Sequence, residues 1–306
     1  MPDHLGVVVM AYGTPASTDD IEAYYTHIRR GRAPTPEQLA ELTARYTAIG
    51  GTSPLAERTE AQCLVLRREL EERLPGKVRV VLGQKHAAPF IEDAVATLAE
   101  GGCRRVVGLV LAPHYSAASV GQYQERLRAA AAEHDMAVGT IDSWHLEAAY
   151  VDYLTDTVHR GLGGLPERTK VLFTAHSLPE RVLEGDPYPD QLRESAAAVA
   201  GAVGLDRWAG WSIAWQSAGR TPEPWRGPDI LDVLRDLADT GRADGVLVCP
   251  QGFVSDHLEV VYDLDIEAKA LADQLGLVFG RTKVLNDHRA VFAALADRIV
   301  EEAPQL

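Results

Sequence analysis

Apolar residues recur along the chain in two alternating patterns. Short runs rich in Val, Ile and Leu cover Leu5–Met10, Val78–Leu82, Arg105–Leu111, Ala137–Ile141, Lys170–Thr174, Gly210–Ala214, Gly245–Cys249 and Leu275–Phe279, and they end in Gly, Pro or a polar residue. These read as strands. Between them lie amphipathic stretches with helix punctuation. Thr35-Pro36-Glu37-Gln38 has the form of an N-cap, a proline at the first helical position and a capping-box glutamine. Pro54–Leu74 keeps Leu55, Leu64, Leu66, Leu70 and Leu74 among charged residues. One further helix starts near His145 and a last one spans Asn286–Glu302. Strands alternating with helices in this way predict parallel sheets with helices on both faces.

The same order occurs twice. Val8-Val9-Met10-Ala11-Tyr12-Gly13-Thr14-Pro15 is echoed 164 positions later by Leu172-Phe173-Thr174-Ala175-His176-Ser177-Leu178-Pro179. Each half continues with a strand ending near a glutamine (Gln84, Gln216), then an aromatic after proline (Pro89-Phe90, Pro224-Trp225), a helix, and a strand ending in proline (Pro113, Pro250). Two similar α/β domains follow, over residues 1–145 and 146–285, with the helix of 286–306 free to pack back on the first. Ligands of open α/β sheets bind beyond the carboxyl ends of the strands. That rule gathers Tyr12, Gln84, His114, His176, Gln216 and His257 around one cleft between the domains.

Composition narrows the class. With 30 basic and 44 acidic side chains in 306 residues, the net charge is −14. Non-specific nucleic-acid binding needs a basic face, and charge alone would keep the chain off an anionic membrane. The longest apolar runs, such as Val7–Ala11 and Val106–Ala112, fall far short of the roughly 20 residues of a spanning helix. The first residues lack a basic or apolar leader pattern, so a cytoplasmic protein is expected. Cys63, Cys103 and Cys249 are too scattered for a zinc or disulfide framework. No GxGxxG follows a strand, and no GxxxxGK[ST], GxSxG or HExxH occurs. Dinucleotide, P-loop, α/β-hydrolase and zincin chemistry therefore have no motif here.

Four segments carry chemistry. Thr174-Ala175-His176-Ser177-Leu178-Pro179 sets a histidine at a strand end on a stiffened turn, suited to proton transfer and to ligation of ferrous iron. In Asp256-His257-Leu258-Glu259 and the residues that follow, Glu259, Asp263 and Glu267 recur every four positions without an intervening Lys or Arg. On an α-helix they form one stripe of hard oxygen ligands. Tyr24 to Arg32, Arg45-Tyr46 and Gly50 to Pro54 concentrate arginines and hydroxyls, the forks and donors that bind carboxylates. Trp215 to Pro228 is a proline-rich loop bearing Trp215 and Trp225, able to cap the core or to wall a flat aromatic ligand.

Together these residues resemble the ferrochelatase family over essentially the whole chain. The most specific parts are Ala175-His176-Ser177-Leu178-Pro179, the Trp215-Gln216-Ser217 to Pro228 loop, and the Asp256 to Asp263 segment. Met10 to Pro15, His27 to Arg32 and Leu111 to Ser116 are similar to the branch from Gram-positive bacteria. The resemblance implies two Rossmann-like, chelatase-like domains and insertion of Fe2+ into coproporphyrin III, giving coproheme for heme biosynthesis. Tyr12 and the arginine-rich segment favour that substrate, which carries four propionates. The alternatives are a protoporphyrin IX ferrochelatase and a non-catalytic porphyrin or coproheme carrier. His176 and Glu259 match the family's catalytic pair, with Tyr12 on the other ring face. Thr14, Arg29, Arg45, Tyr46, Ser53 and Tyr123 match its propionate-binding positions. An iron path through His176, Glu259, Tyr12, Asp263 and Glu267 is implied. No permanently bound cofactor is expected, and an iron–sulfur cluster needs more clustered thiolates than three scattered cysteines. The expected partners are coproporphyrin III and Fe2+, with transient contacts to neighbouring heme-pathway enzymes and none to nucleic acid.

Overall fold

A computed structural model of the chain describes residues 4–205 and 210–305. Residues 1–3, where the missing leader pattern begins, lie outside them. The chain divides into two compact units, one of Met1–Leu111, Ser119–Asp142 and Asn286–Leu306, the other of Ala112–Ala118 and Ser143–Leu285. Among the described residues no helix is long and apolar enough to cross a membrane.

The first unit runs β1 (Leu5–Ala11), α1 (Ile21–Ile28), α2 (Pro36–Ala48), α3 (Leu55–Arg73), β2 (Val78–Gln84), α4 (Ile91–Glu100), β3 (Arg105–Val110), α5 (Gln122–Ala132) and β4 (Ala137–Ile141). Its parallel sheet has the order β2-β1-β3-β4. Every residue of the central β1 is buried. A strand covered on both faces has no solvent side to keep polar, which is why Leu5–Ala11 reads as one apolar run. The capping box of α2 forms as its residues imply: Thr35 Oγ1 accepts from Gln38 N at 3.3 Å, and Gln38 Oε1 accepts from Thr35 N at 3.0 Å.

The second unit runs α6 (Ala148–Leu162), β5 (Thr169–His176), α7 (Glu180–Leu183), α8 (Tyr188–Val203), β6 (Trp211–Gln216), α9 (Ile230–Thr240), β7 (Gly245–Cys249), α10 (Leu258–Val260), α11 (Lys269–Gln274) and β8 (Val278–Arg281). Its sheet order, β6-β5-β7-β8, repeats that of the first unit. The last strand lies three residues beyond its expected start, because Leu275 still caps α11 and Gly276 turns the chain at φ +75°. The final helix α12 (Arg289–Glu301) lies in the first unit against α3. There Phe292, Leu295 and Ile299 are buried, and Arg289 Nε meets Glu69 Oε1 at 2.6 Å.

The internal repeat is structural, with one change of partner. Gln84 N donates to Pro89 O at 2.7 Å beyond β2, and Trp215 N donates to Pro228 O at 2.9 Å beyond β6. Phe90 and Asp229 are then the N-caps of α4 and α9. The counterpart of Pro89-Phe90 is thus Pro228-Asp229, not Pro224-Trp225. Trp225 instead pairs with Pro179, beside the loop that follows β5.

Candidate functional site

Both sheets present their functional side chains where the strands end. In the second unit the end of β5 carries His176. Its Nδ1–H donates to Ser177 O at 2.5 Å, which turns Nε2 toward Glu259 Oε1 at 3.5 Å. Ser177 is itself held, its N donating to Gln216 O at 2.8 Å and its Oγ to Arg226 O at 2.7 Å. His257, just before α10, is fixed the same way. Its Nδ1–H donates to Ser255 O at 3.0 Å, and its Nε2 lies 3.6 Å from Glu259 Oε2. The Glu259 carboxylate therefore stands between two imidazoles, each tied at Nδ1 to a main-chain carbonyl.

The segment carrying the carboxylates is not the α-helix expected. After the single turn of α10 the chain widens into a π-helix over Val261–Ala268. Strand β6 braces it. Gln216 Nε2 donates to Glu259 O at 3.0 Å, and Ser217 Oγ donates to Asp263 Oδ2 at 2.5 Å. Ser217 takes a left-handed backbone, φ +60°, to reach that carboxylate. Glu259 is half-buried, Asp263 buried and Glu267 exposed, so the three acids do not make one uniform stripe. Such wide turns are rare and concentrate at functional sites.

Burial by itself would lower the His176 pKa. The Glu259 carboxylate beside it, the Ser177 carbonyl and Asp263 override that and raise it to about 9. Burial would raise Glu259, but His176 and His257 hold it far below the ordinary carboxylate range. At neutral pH the pair is an imidazolium facing a carboxylate.

In the first unit Tyr12 follows β1 and is exposed, its ring 4.6 Å from that of His86. Gly13, at φ +92°, lets the chain pass within contact of Ala87, and Gly13 O accepts from Tyr24 OH at 2.9 Å. Thr14 and Tyr46 are buried together, Oγ1 and OH 3.5 Å apart. Tyr123 on α5 is buried, and burial and Tyr12 push its hydroxyl pKa up. Arg29 ends α1, with Nε donating to Arg32 O at 3.1 Å. Arg45 lies in the last turn of α2, and Ser53, buried, accepts from Leu55 N at 3.2 Å.

Lys85 and His86, directly after β2, were not singled out by the motifs. Lys85 Nζ donates to Gln122 Oε1 at 2.7 Å and lies 5.1 Å over the Tyr123 ring. Burial and the neighbouring Arg126 and Arg30 lower its pKa to about 8. His86 is lowered to about 3 by burial and the nearby cations, and its Nδ1 is 3.0 Å from His27 Nδ1. Their one sequence signal is position: both follow a strand end already marked by Gln84. Among the described residues no three His, Cys, Asp or Glu side chains are grouped to hold a metal ion. Cys63, Cys103 and Cys249 are buried and not joined in disulfides.

The chain matches the family pattern described as ferrochelatase over residues 4–303. It is 44% identical over 307 residues to the coproporphyrin III ferrochelatase of Geobacillus kaustophilus (strain HTA426), covering 97% of this chain and 95% of that protein. To the coproporphyrin III ferrochelatase of Bacillus subtilis (strain 168) it is 43% identical over 306 residues, covering 97% of each. Among solved structures, SirB from Bacillus subtilis with Fe3+ superposes with a TM-score of 0.58 at 12% identity, over 98% of this chain and 95% of that one. CbiX, described as the terminal enzyme for biosynthesis of siroheme in denitrifying bacteria, gives 0.55 at 15% identity, over 97% and 98%. At such identities these two bear on the fold alone.

Proposed function

Because the chain belongs to the ferrochelatase family, we propose that it inserts Fe2+ into coproporphyrin III to form coproheme, a lyase-type metal chelation in heme biosynthesis. The observation that carries the reading is the Glu259 carboxylate held between His176 Nε2 and His257 Nε2. Insertion exchanges two pyrrole protons for one Fe2+. A carboxylate beside a pre-oriented imidazole supplies an oxygen ligand for iron and a nitrogen that accepts a pyrrole proton.

At rest that nitrogen is occupied, because Glu259 holds His176 protonated. Incoming Fe2+ competes with that proton for the pair. Once iron draws on Glu259, the imidazole is no longer favoured as a cation and sheds its proton to solvent. Neutral Nε2 then accepts the proton of one pyrrole nitrogen as iron moves onto the macrocycle, and the second pyrrole proton passes to solvent. His176 and Glu259 are the catalytic pair in this reading, and Asp263 and Glu267 extend the iron path outward along the π-helix. Tyr12 meets the other face of the ring. Thr14, Arg29, Arg45, Tyr46, Ser53 and Tyr123 hold propionates, and Lys85 adds a cation beside them. Binding energy at the propionates is what a puckered, insertion-ready ring draws on. The reading needs no resident cofactor and no iron–sulfur cluster, places the reaction in the cytoplasm, and leaves transfer of porphyrin and coproheme to transient contacts with neighbouring enzymes of the pathway.

The test is anaerobic insertion of Fe2+ into coproporphyrin III or protoporphyrin IX, followed by visible absorbance. Rapid conversion of coproporphyrin III alone is expected. The His176→Ala protein should bind coproporphyrin and metallate none. Preference for protoporphyrin IX would overturn the substrate assignment, and tight binding without insertion by the unmodified protein would make it a carrier.

A further inference from the structure

The second unit buries another pair of histidines, to which iron insertion gives no task. His114 lies in the Ala112–Ala118 segment and His145 just ahead of α6, and Trp144 N donates to Pro113 O at 2.9 Å to set the two stretches side by side. Only 2% of His114 and 8% of His145 is exposed. Their ring centroids are 5.7 Å apart and their planes inclined by 38°.

Hydrogen-bond accounting assigns their protons. His114 Nε2 is 2.9 Å from Ser195 Oγ. That hydroxyl also neighbours Gln191 O, Leu192 O and Gln251 Oε1 at 3.1, 3.3 and 3.0 Å, all acceptors. Gln251 Nε2 donates to Leu192 O at 2.8 Å, which fixes Oε1 as the atom turned to Ser195. The single hydroxyl proton belongs to one of these oxygens, so His114 Nε2 carries the hydrogen of its own bond. His145 Nε2 lies 2.9 Å from Glu194 Oε2 and donates to it. With Nε2 committed to its own hydrogen bond on both rings, Nδ1 is the nitrogen each can offer as a lone pair in its neutral form. Both Nδ1 atoms are buried, and neither has a hydrogen-bond partner among the described residues.

A buried ring whose outer N–H is tethered, to a carboxylate in one case and a hydroxyl in the other, while its inner nitrogen is bare, has the arrangement of a metal-binding histidine. Imidazole nitrogen suits first-row transition metals. We propose that His114 Nδ1 and His145 Nδ1 bind a first-row divalent transition-metal cation, at a site separate from His176 and Glu259. Two nitrogens are half of a tetrahedral set, and water completes it. Glu194, whose side chain is 57% exposed, tethers the outer nitrogen of His145 from the surface. The inference does not depend on the chelatase reading.

The test is a Co2+ titration of metal-free protein followed by its visible d–d absorption and by equilibrium dialysis. Glu259 faces both His176 and His257, so His176→Ala and Glu259→Gln made together take that site apart and isolate this one. The double variant should still take up one equivalent of Co2+ with a nitrogen-coordinated spectrum, and adding His145→Phe should abolish it. Glu194→Gln lies on the surface and spares the fold. It should weaken Co2+ binding roughly 10–100-fold, as loss of an outer hydrogen-bond partner does, without moving the unfolding midpoint or the rate of iron insertion. No Co2+ uptake in the His176→Ala/Glu259→Gln protein, or unchanged uptake with His145→Phe added, overturns the proposal and leaves an ordered water donating to both lone pairs.

Discussion

Glu259→Gln tests the electrostatic logic of the site most directly. The amide keeps the size of the side chain and leaves the main-chain bond from Gln216 Nε2 to residue 259 untouched, so the π-helix should persist. What disappears is the negative charge 3.5 Å from His176 Nε2. Burial is the largest influence on His176 and acts downward. Without the carboxylate the imidazole should fall from about 9 to near or below its ordinary 6.5. At about 1.4 kcal/mol per pH unit that change amounts to roughly 3 kcal/mol. The His176 side chain is 36% exposed, and solvent screening reduces the stabilising part to about 1–2 kcal/mol. The pH window follows from both partners. His176 is raised on folding, so its contribution is complete below pH 6.5 and fades as pH climbs through about 9. Glu259 is lowered, so its contribution is complete above its ordinary 4.5 and lost only in strong acid. The stability difference between the two proteins should be greatest around pH 5–6.5 and vanish by about pH 10. The direct assay is an NMR titration of the His176 ring in both proteins. In parallel, the apparent KM for Fe2+ in the unmodified enzyme should fall as pH rises from 7 to 9, because iron displaces a proton. A His176 titration near 6.5 in the unmodified protein, or one that stays near 9 after Glu259→Gln, would refute the reasoning.

Changes at three further positions probe other parts. Burial and the neighbouring arginines lower Lys85 to about 8, so coproporphyrin affinity, read by fluorescence quenching, should weaken from pH 7 to 9, and Lys85→Met should remove that step. Gly252→Ala would set a Cβ 2.5 Å from Ala175 Cβ, on the residue before His176. It should cost about 1–3 kcal/mol, lower the melting temperature and slow insertion more than it weakens porphyrin binding. Ser217→Ala leaves buried Asp263 without its 2.5 Å donor, an expected loss of about 1–3 kcal/mol. Since Ser217 sits at φ +60°, Ser217→Gly should be the milder change by up to about 1 kcal/mol in denaturant unfolding.

What could be read from the chain follows from where its information resides. Strands such as Leu5–Ala11 and Gly245–Cys249 are buried at every residue, so their limits are printed as unbroken apolar runs. The repeat is legible for the same reason, since two central strands, β1 and β5, occupy the same place in two sheets of one order. The Leu275 boundary misled because an apolar helix cap runs into an apolar strand, and a run of Leu and Val records burial without saying in which conformation. The carboxylate segment is a harder case. A four-residue spacing of Glu259, Asp263 and Glu267 suits an α-helix as well as a π-helix. The braces that accompany the wide turn, Gln216 and Ser217, lie more than forty residues earlier. His176 and Glu259 could be paired through resemblance. That His257 completes the arrangement is a matter of two serine carbonyls, Ser177 O and Ser255 O, each taking one Nδ1–H. Main-chain acceptors have no signature in a sequence. Yet they decide which nitrogen of each ring faces the carboxylate, and hence the proton that iron must displace.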